Sequence, residues 1–101
     1  QAIRIRGDNG PGRMNTWTTL IDTPDATVSV NVYQNDSTGL WGYEYAYDVQ
    51  GVRGGHQDPP SYTLRSSAYE FACIVMLADL AEHLPCVPED VKLAVKQLPL
   101  F

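Results

Sequence analysis

The sequence predicts an α+β protein, an antiparallel three- to four-stranded meander followed by a long helix packed on one face and a short C-terminal helix. Three observations predict it. Period-two alternation recurs through the first half, turn residues punctuate it, and the amphipathic stretch "SSAYEFACIVMLADLAEHL", residues 66–84, dominates the second half. With 101 residues, 44% hydrophobic and 10% aromatic, the chain suits one domain with a modest two-layer core. Its expected divisions are a meander over 1–48, a long loop over 49–65 and a helical part over 66–101.

The elements follow in order. "AIRIR", residues 2–6, sets Ile3 and Ile5 against Arg4 and Arg6, a short strand with one apolar and one basic face. "GDNGPG", 7–12, is turn chemistry. "MNTWTTLI", 14–21, is rich in β-branched and aromatic types and reads as a strand that "DTPD", 22–25, breaks. "ATVSVNVY", 26–33, alternates most clearly, with Val28, Val30 and Val32 expected inward and Ser29 and Asn31 outward. "QNDSTG" then turns into "GLWGYEYAYD", 39–48, where Trp41, Tyr43, Tyr45 and Tyr47 share one side and Gly42, Glu44, Ala46 and Asp48 the other. Sheets of this kind bury one face, so the rings most economically lie against whatever covers the sheet. Tyrosine also serves interfaces well, which keeps a partner-facing role open for the edge of this strand.

The segment 49–65, "VQGVRGGHQDPPSYTLR", carries three glycines and two prolines and reads as a long connection, a type often functional in small domains. The helix after it is expected to start at Ser66 or Ser67, with Glu70 completing a capping box. Phe71, Ile74, Val75, Ala78 and Ala81 form one apolar stripe, and Cys73, Leu77, Leu80 and Leu84 a second. Together they are wider than one sheet face needs. The surplus is expected to lie under the last segment or against a second copy of the chain. That segment, "PEDVKLAVKQL" at 88–98, has Pro88, Glu89 and Asp90 at its start and Lys92 and Lys96 further on, the charge order of a short helix. Leu100 and Phe101 then make an apolar end that folds back or adheres to something.

Charge and cysteine usage bound the function. The net charge is -5, and ten of the twelve acids fall in two intervals without Lys or Arg: Asp22, Asp25, Asp36, Glu44 and Asp48 before Arg53, and Glu70, Asp79, Glu82, Glu89 and Asp90 after Arg65. A negative surface patch follows, and with it poor affinity for phosphate backbones, which need clustered bases. Glu44 and Asp48 among the rings of 41–47 argue the same way. Cys73 lies inside the long helix and Cys86 beyond its end, about 16 Å apart at roughly 1.5 Å per helical residue, so both are expected as free thiols. No apolar run is long enough to span a membrane and the start lacks a signal-peptide core, so a cytoplasmic protein is expected.

Chemical motifs are sparse. Arg6, Gly7 and Asp8 spell an adhesion tripeptide inside a turn-rich stretch, and "GVRGGHQD" lacks the spacing of phosphate-binding loops. His56, Cys73, His83 and Cys86 do not make the two close ligand pairs of structural zinc. His56 and Asp58 are placed to pair, with Ser61 nearby, but no orienting scaffold or oxyanion donor set is visible. The expectation is therefore no metal, no cofactor and no enzyme activity. An enzyme built on the 49–65 loop and His56 is the reading set against it.

The whole-chain order, a short meander, a long connection, "SSAYEFACIVMLADLAEHL" and a small last helix, resembles the compact α+β proteins encoded by phages and other mobile elements. In size and acidity it is similar to anti-CRISPR and related anti-defence inhibitors. The resemblance implies a non-enzymatic inhibitor that binds the basic surface of a nucleic-acid-handling complex in the host cytosol, with Asp22, Asp25, Asp36, Glu44 and Asp48 standing where DNA phosphates would. A charge of -5 is mild for such mimicry. Trp41 and Tyr43 would anchor the contact. The alternative is a structural subunit of a phage or bacterial assembly that self-associates through residues 71–84 and the C-terminus.

Overall fold

A computed structural model describes residues 17–100. Four strands, β1 (Thr18–Thr23), β2 (Ala26–Gln34), β3 (Trp41–Val49) and β4 (Val52–Tyr62), form one sheet in the order β1-β2-β3-β4, every pair antiparallel. Helix α1 (Arg65–His83) follows, then α2 (Glu89–Lys96) and a single 3-10 turn (Leu98–Leu100). The α+β class and the meander read from the sequence are both present. The strand expected over 2–6 lies outside the described residues.

Local chemistry explains the turns. Thr23 pairs with Ala26 across Pro24 and Asp25, and its Oγ1 accepts the Ala26 N–H at 3.1 Å, so the break expected over 22–25 narrows to two residues. Between β2 and β3, Asn35 Oδ1 accepts the backbone N–H groups of Ser37 and Thr38, both at 2.9 Å. Between β3 and β4, Gln50 and Gly51 both have positive φ, 54° and 82°, and link the directly paired Val49 and Val52 in a tight two-residue hairpin.

Most of the 49–65 segment, Val52–Tyr62, is thus a strand and not a loop. Its glycines and prolines mark tertiary constraints that a local reading takes for flexibility. A Cβ on Gly54 would stand 2.4 Å from the Tyr47 ring, so the strand needs glycine there to let the ring lie across it. Pro59 and Pro60 fall where the β3–β4 register slips, between Tyr43↔Asp58 and Trp41↔Tyr62, on the strand that ends the sheet among the described residues, where their missing N–H groups are tolerated.

Val28, Val30 and Val32 pair with Tyr47, Tyr45 and Tyr43, and all six are buried on the face that α1 covers. Ala68, Tyr69, Ala72, Cys73, Met76 and Leu80 supply the buried face of α1, and Val91, Val95 and Leu98 close the core from the C-terminal side. Three expectations change. Ser29 and Asn31 are buried, not outward-exposed: Asn31 Nδ2 donates to Glu44 at 2.8 Å and Ser29 lies beside Thr19, because β2 is a central strand flanked on both sides. The α1 start is not a capping box. Its N-cap is Leu64 with no side-chain bond, and Arg65 is drawn into the first turn by its contacts with the Trp41 and Tyr69 rings, at 5.9 and 5.0 Å, and with the Tyr69 hydroxyl at 3.2 Å. Of the surplus apolar width expected on α1, Phe71 and Ile74 face outward, exposed and so not covered by the last segment, while Val75 packs against the core.

Candidate functional site

The rings of Tyr43, Tyr45 and Tyr47 run along β3 as a stacked row, with centroids 6.4 and 6.3 Å apart. Successive odd positions share a face at this spacing, so the row follows from the strand alone. The Tyr45 hydroxyl donates to Asp79 Oδ2 on α1 at 2.8 Å and the Tyr47 hydroxyl to Oδ1 at 3.2 Å. The Tyr43 hydroxyl is enclosed, with no hydrogen-bond partner of good geometry, beside the Asp58 carboxylate.

β4 continues the same face outward. His56 pairs with Tyr45 and Asp58 with Tyr43, so their side chains stand beside the ring row. His56 Nε2 lies 2.9 Å from Asp58 Oδ1, and the Tyr62 hydroxyl 3.4 Å from Asp58 Oδ2. Burial pushes the Asp58 carboxyl up, but the hydrogen bonds from His56 and Tyr62, the adjacent Tyr43 hydroxyl and the His56 charge outweigh it and hold the group below its ordinary value. Burial and the Asp58 charge raise the Tyr62 phenol in turn. Ser61, which the sequence places near this pair, donates to the Pro59 carbonyl at 3.2 Å. The Phe71 ring of α1 stacks on Tyr62 with centroids 5.0 Å apart.

This surface is an exposed aromatic and apolar ledge rimmed by acids. Leu64, Phe71 and Ile74 are 60%, 43% and 56% exposed. Asp58 and Asp79 border it from β4 and from α1, and the exposed Glu70 and Glu82 stand on α1 itself. At the far end of α1, ligand atoms of Asp79, Glu82 and His83 lie within 4.8 Å of one another, and the backbone carbonyl and carboxylate of Asp79, both 3.0 Å from His83 Nδ1, raise the His83 pKa. Cys73 is buried and Cys86 exposed, and both are free thiols.

The residues expected to bind a partner are dispersed. Asp22 and Asp48 stand on the sheet face opposite α1, both in register with Thr27, and Asp48 Oδ2 lies 3.0 Å from Arg53 Nε. Glu44 shares that face but is tied to Asn31. Asp25 and Asp36 sit in turns at opposite ends of the nine-residue β2, about 30 Å apart at roughly 3.3 Å per residue. Tyr43 is 0% exposed and so unavailable as a surface anchor, while Trp41 is half-buried under Arg65. Sequence reasoning placed Phe71 and Ile74 in one of two apolar stripes whose surplus was to lie under the last segment or against a second copy, and it gave no part to Tyr62. The signal that locates the ledge is the helical spacing of Ala72, Met76 and Leu80, a set outside both stripes except for Leu80, which fixes the inner face and leaves Phe71 and Ile74 opposite.

The chain matches no family model, no curated protein and no solved structure. Among the described residues no helix is long and apolar enough to cross a membrane.

Proposed function

We propose that the chain is a non-enzymatic protein-binding inhibitor that engages the basic surface of a nucleic-acid-handling complex of the CRISPR type. One observation carries this reading, the charge of the described residues. Residues 17–100 hold eleven acids against four bases. Arg53 and Lys92 are already paired, with Asp48 at 3.0 Å and Glu89 at 3.6 Å, and Arg65 lies over aromatic rings. The surface that remains is acidic around an apolar ledge, which favours fast encounter with a basic protein and a buried contact once docked. The test is retention: immobilised chain should hold a guide-loaded nuclease complex at physiological ionic strength, where surface charge alone is screened beyond about 8 Å. Loss of all such complexes under that condition would rule the reading out.

A second reading is favoured by the exposed Leu64, Phe71 and Ile74, a patch that a self-associating structural subunit would cover. The C-terminal part of that expected interface is committed elsewhere, since Leu98 is buried in the chain's own core. Light scattering at high concentration decides between monomer and closed dimer.

A further inference from the structure

We infer that the outward face of α1 from Phe71 to Ala81 seats a basic amphipathic helix of the partner protein. Apolar side chains of that helix cover Phe71 and Ile74, and its arginine or lysine side chains reach Glu70 on one flank and Glu82 on the other. The inference rests on the reading that the partner is basic, and adds where it docks and in what form.

Phe71, Ile74, Ala78 and Ala81 recur at helical spacing and are all exposed, while Ala72, Met76 and Leu80 take the opposite face into the core. The strip is about 15 Å long at 1.5 Å per residue, the reach of three turns, and narrow enough for a helix. Its two ends differ in shape. At one end Phe71 is held against Tyr62 at 5.0 Å, so an anchor is fixed before binding and little side-chain freedom remains to be lost. At the other end Ala78 and Ala81 leave the backbone open, which lets a second helix axis come within the usual 8–10 Å and seat a large side chain there.

Charge selects the occupant. Helical geometry puts Glu70 and Glu82 on opposite sides of the strip, and among the described residues neither is in an ion pair, in contrast to Asp48 and Glu89. No Lys or Arg occurs between Arg65 and Lys92. A second copy packed strip against strip would bring another Glu70 and Glu82, and the interval between Arg65 and Lys92 holds no base to answer them. A helix carrying bases on both sides of an apolar stripe answers all four features.

The probe is a fluorescent leucine-arginine amphipathic peptide of about five turns, titrated at physiological salt into the wild-type chain, Ile74→Arg and Leu93→Arg. Leu93, on α2, is 55% exposed, so its replacement removes equal apolar surface and adds the same charge away from the strip. Circular dichroism checks that both variants fold. Wild type and Leu93→Arg should bind alike, with Ile74→Arg at least about tenfold weaker. Equal binding by the two variants overturns the placement while leaving a basic partner standing. Absence of binding by the wild type, or equal binding of a leucine-glutamate peptide, removes the basic-partner reading and the docking site together. A wild-type dimer that Ile74→Arg dissolves assigns the strip to a second copy and overturns the inference.

Discussion

The Tyr45 hydroxyl on β3 donates to Asp79 Oδ2 on α1 at 2.8 Å, across thirty-four residues of sequence, and Tyr47 shares the same carboxylate at 3.2 Å. One acid therefore ties the ring row of the sheet to the helix that covers it. Removing it strands two part-buried hydroxyls, so Asp79→Ala should lower the unfolding free energy by about 2–4 kcal/mol. Asp79→Asn, which keeps one acceptor oxygen, should cost less, and Tyr45→Phe about 1 kcal/mol. Urea denaturation midpoints at constant slope check the order.

The same phenols make the fold sensitive to alkali. Burial first, then the Asp79 charge and hydrogen bond, push Tyr47 up to about 12, and burial raises Tyr43 and Tyr45 further, helped by Asp58 and Asp79. A group whose folded pKa lies above its unfolded value contributes stability that is whole below the unfolded value and is lost as pH rises through the folded one. Stability should stay flat up to about pH 10 on this account and fall from there to about 12. Tyrosinate absorbance of the buried rings should rise together with the loss of circular dichroism. Ionisation of these rings near pH 10 in a still folded chain would contradict the packing.

Gly54→Ala tests the strand assigned to the former loop. The new methyl would meet the Tyr47 ring at 2.4 Å, an overpacking worth about 1–3 kcal/mol of destabilisation. Gly51→Ala, with open space but φ of 82°, should cost about 1–2 kcal/mol through backbone strain alone. If 49–65 were a loop, the Gly54 change would leave thermal stability unaltered.

Ser67→Ala should change stability by no more than about 0.5 kcal/mol, the ordinary range for a surface position without a special role, since Ser67 is only half-buried and makes no side-chain cap. A serine acting in a capping box would cost about 1 kcal/mol when removed. The comparison is sharp because Leu64 occupies the cap with no side-chain bond.

These positions show which parts of the architecture are legible in the chain. Alternation at Val28, Val30 and Val32 and at Tyr43, Tyr45 and Tyr47 orients both central strands, since a period of two leaves only one buried assignment. β4 is illegible locally because its glycines and prolines answer to the Tyr47 ring and to a register slip, both set by other strands. The inner face of α1 is only partly legible, because two apolar stripes leave open which one meets the sheet; Ala72, Met76 and Leu80 do, and Phe71 and Ile74 do not. Of the candidate site, the His56–Asp58 pair is foreseeable, since two residues two apart share a strand face. Of the expected acidic set, Asp22, Glu44 and Asp48 share one sheet face, while β2 carries Asp25 and Asp36, close in sequence, to opposite ends of the sheet.

Competition with nucleic acid tests the central claim most directly. Labelled target duplex is bound to a guide-loaded nuclease complex at physiological ionic strength, and the chain is added in increasing amounts while anisotropy is followed. The account predicts displacement of the duplex by the wild-type chain and by Leu93→Arg, with at least about tenfold more Ile74→Arg required for the same effect. Duplex that stays bound at every concentration, with the chain free in solution, would contradict it.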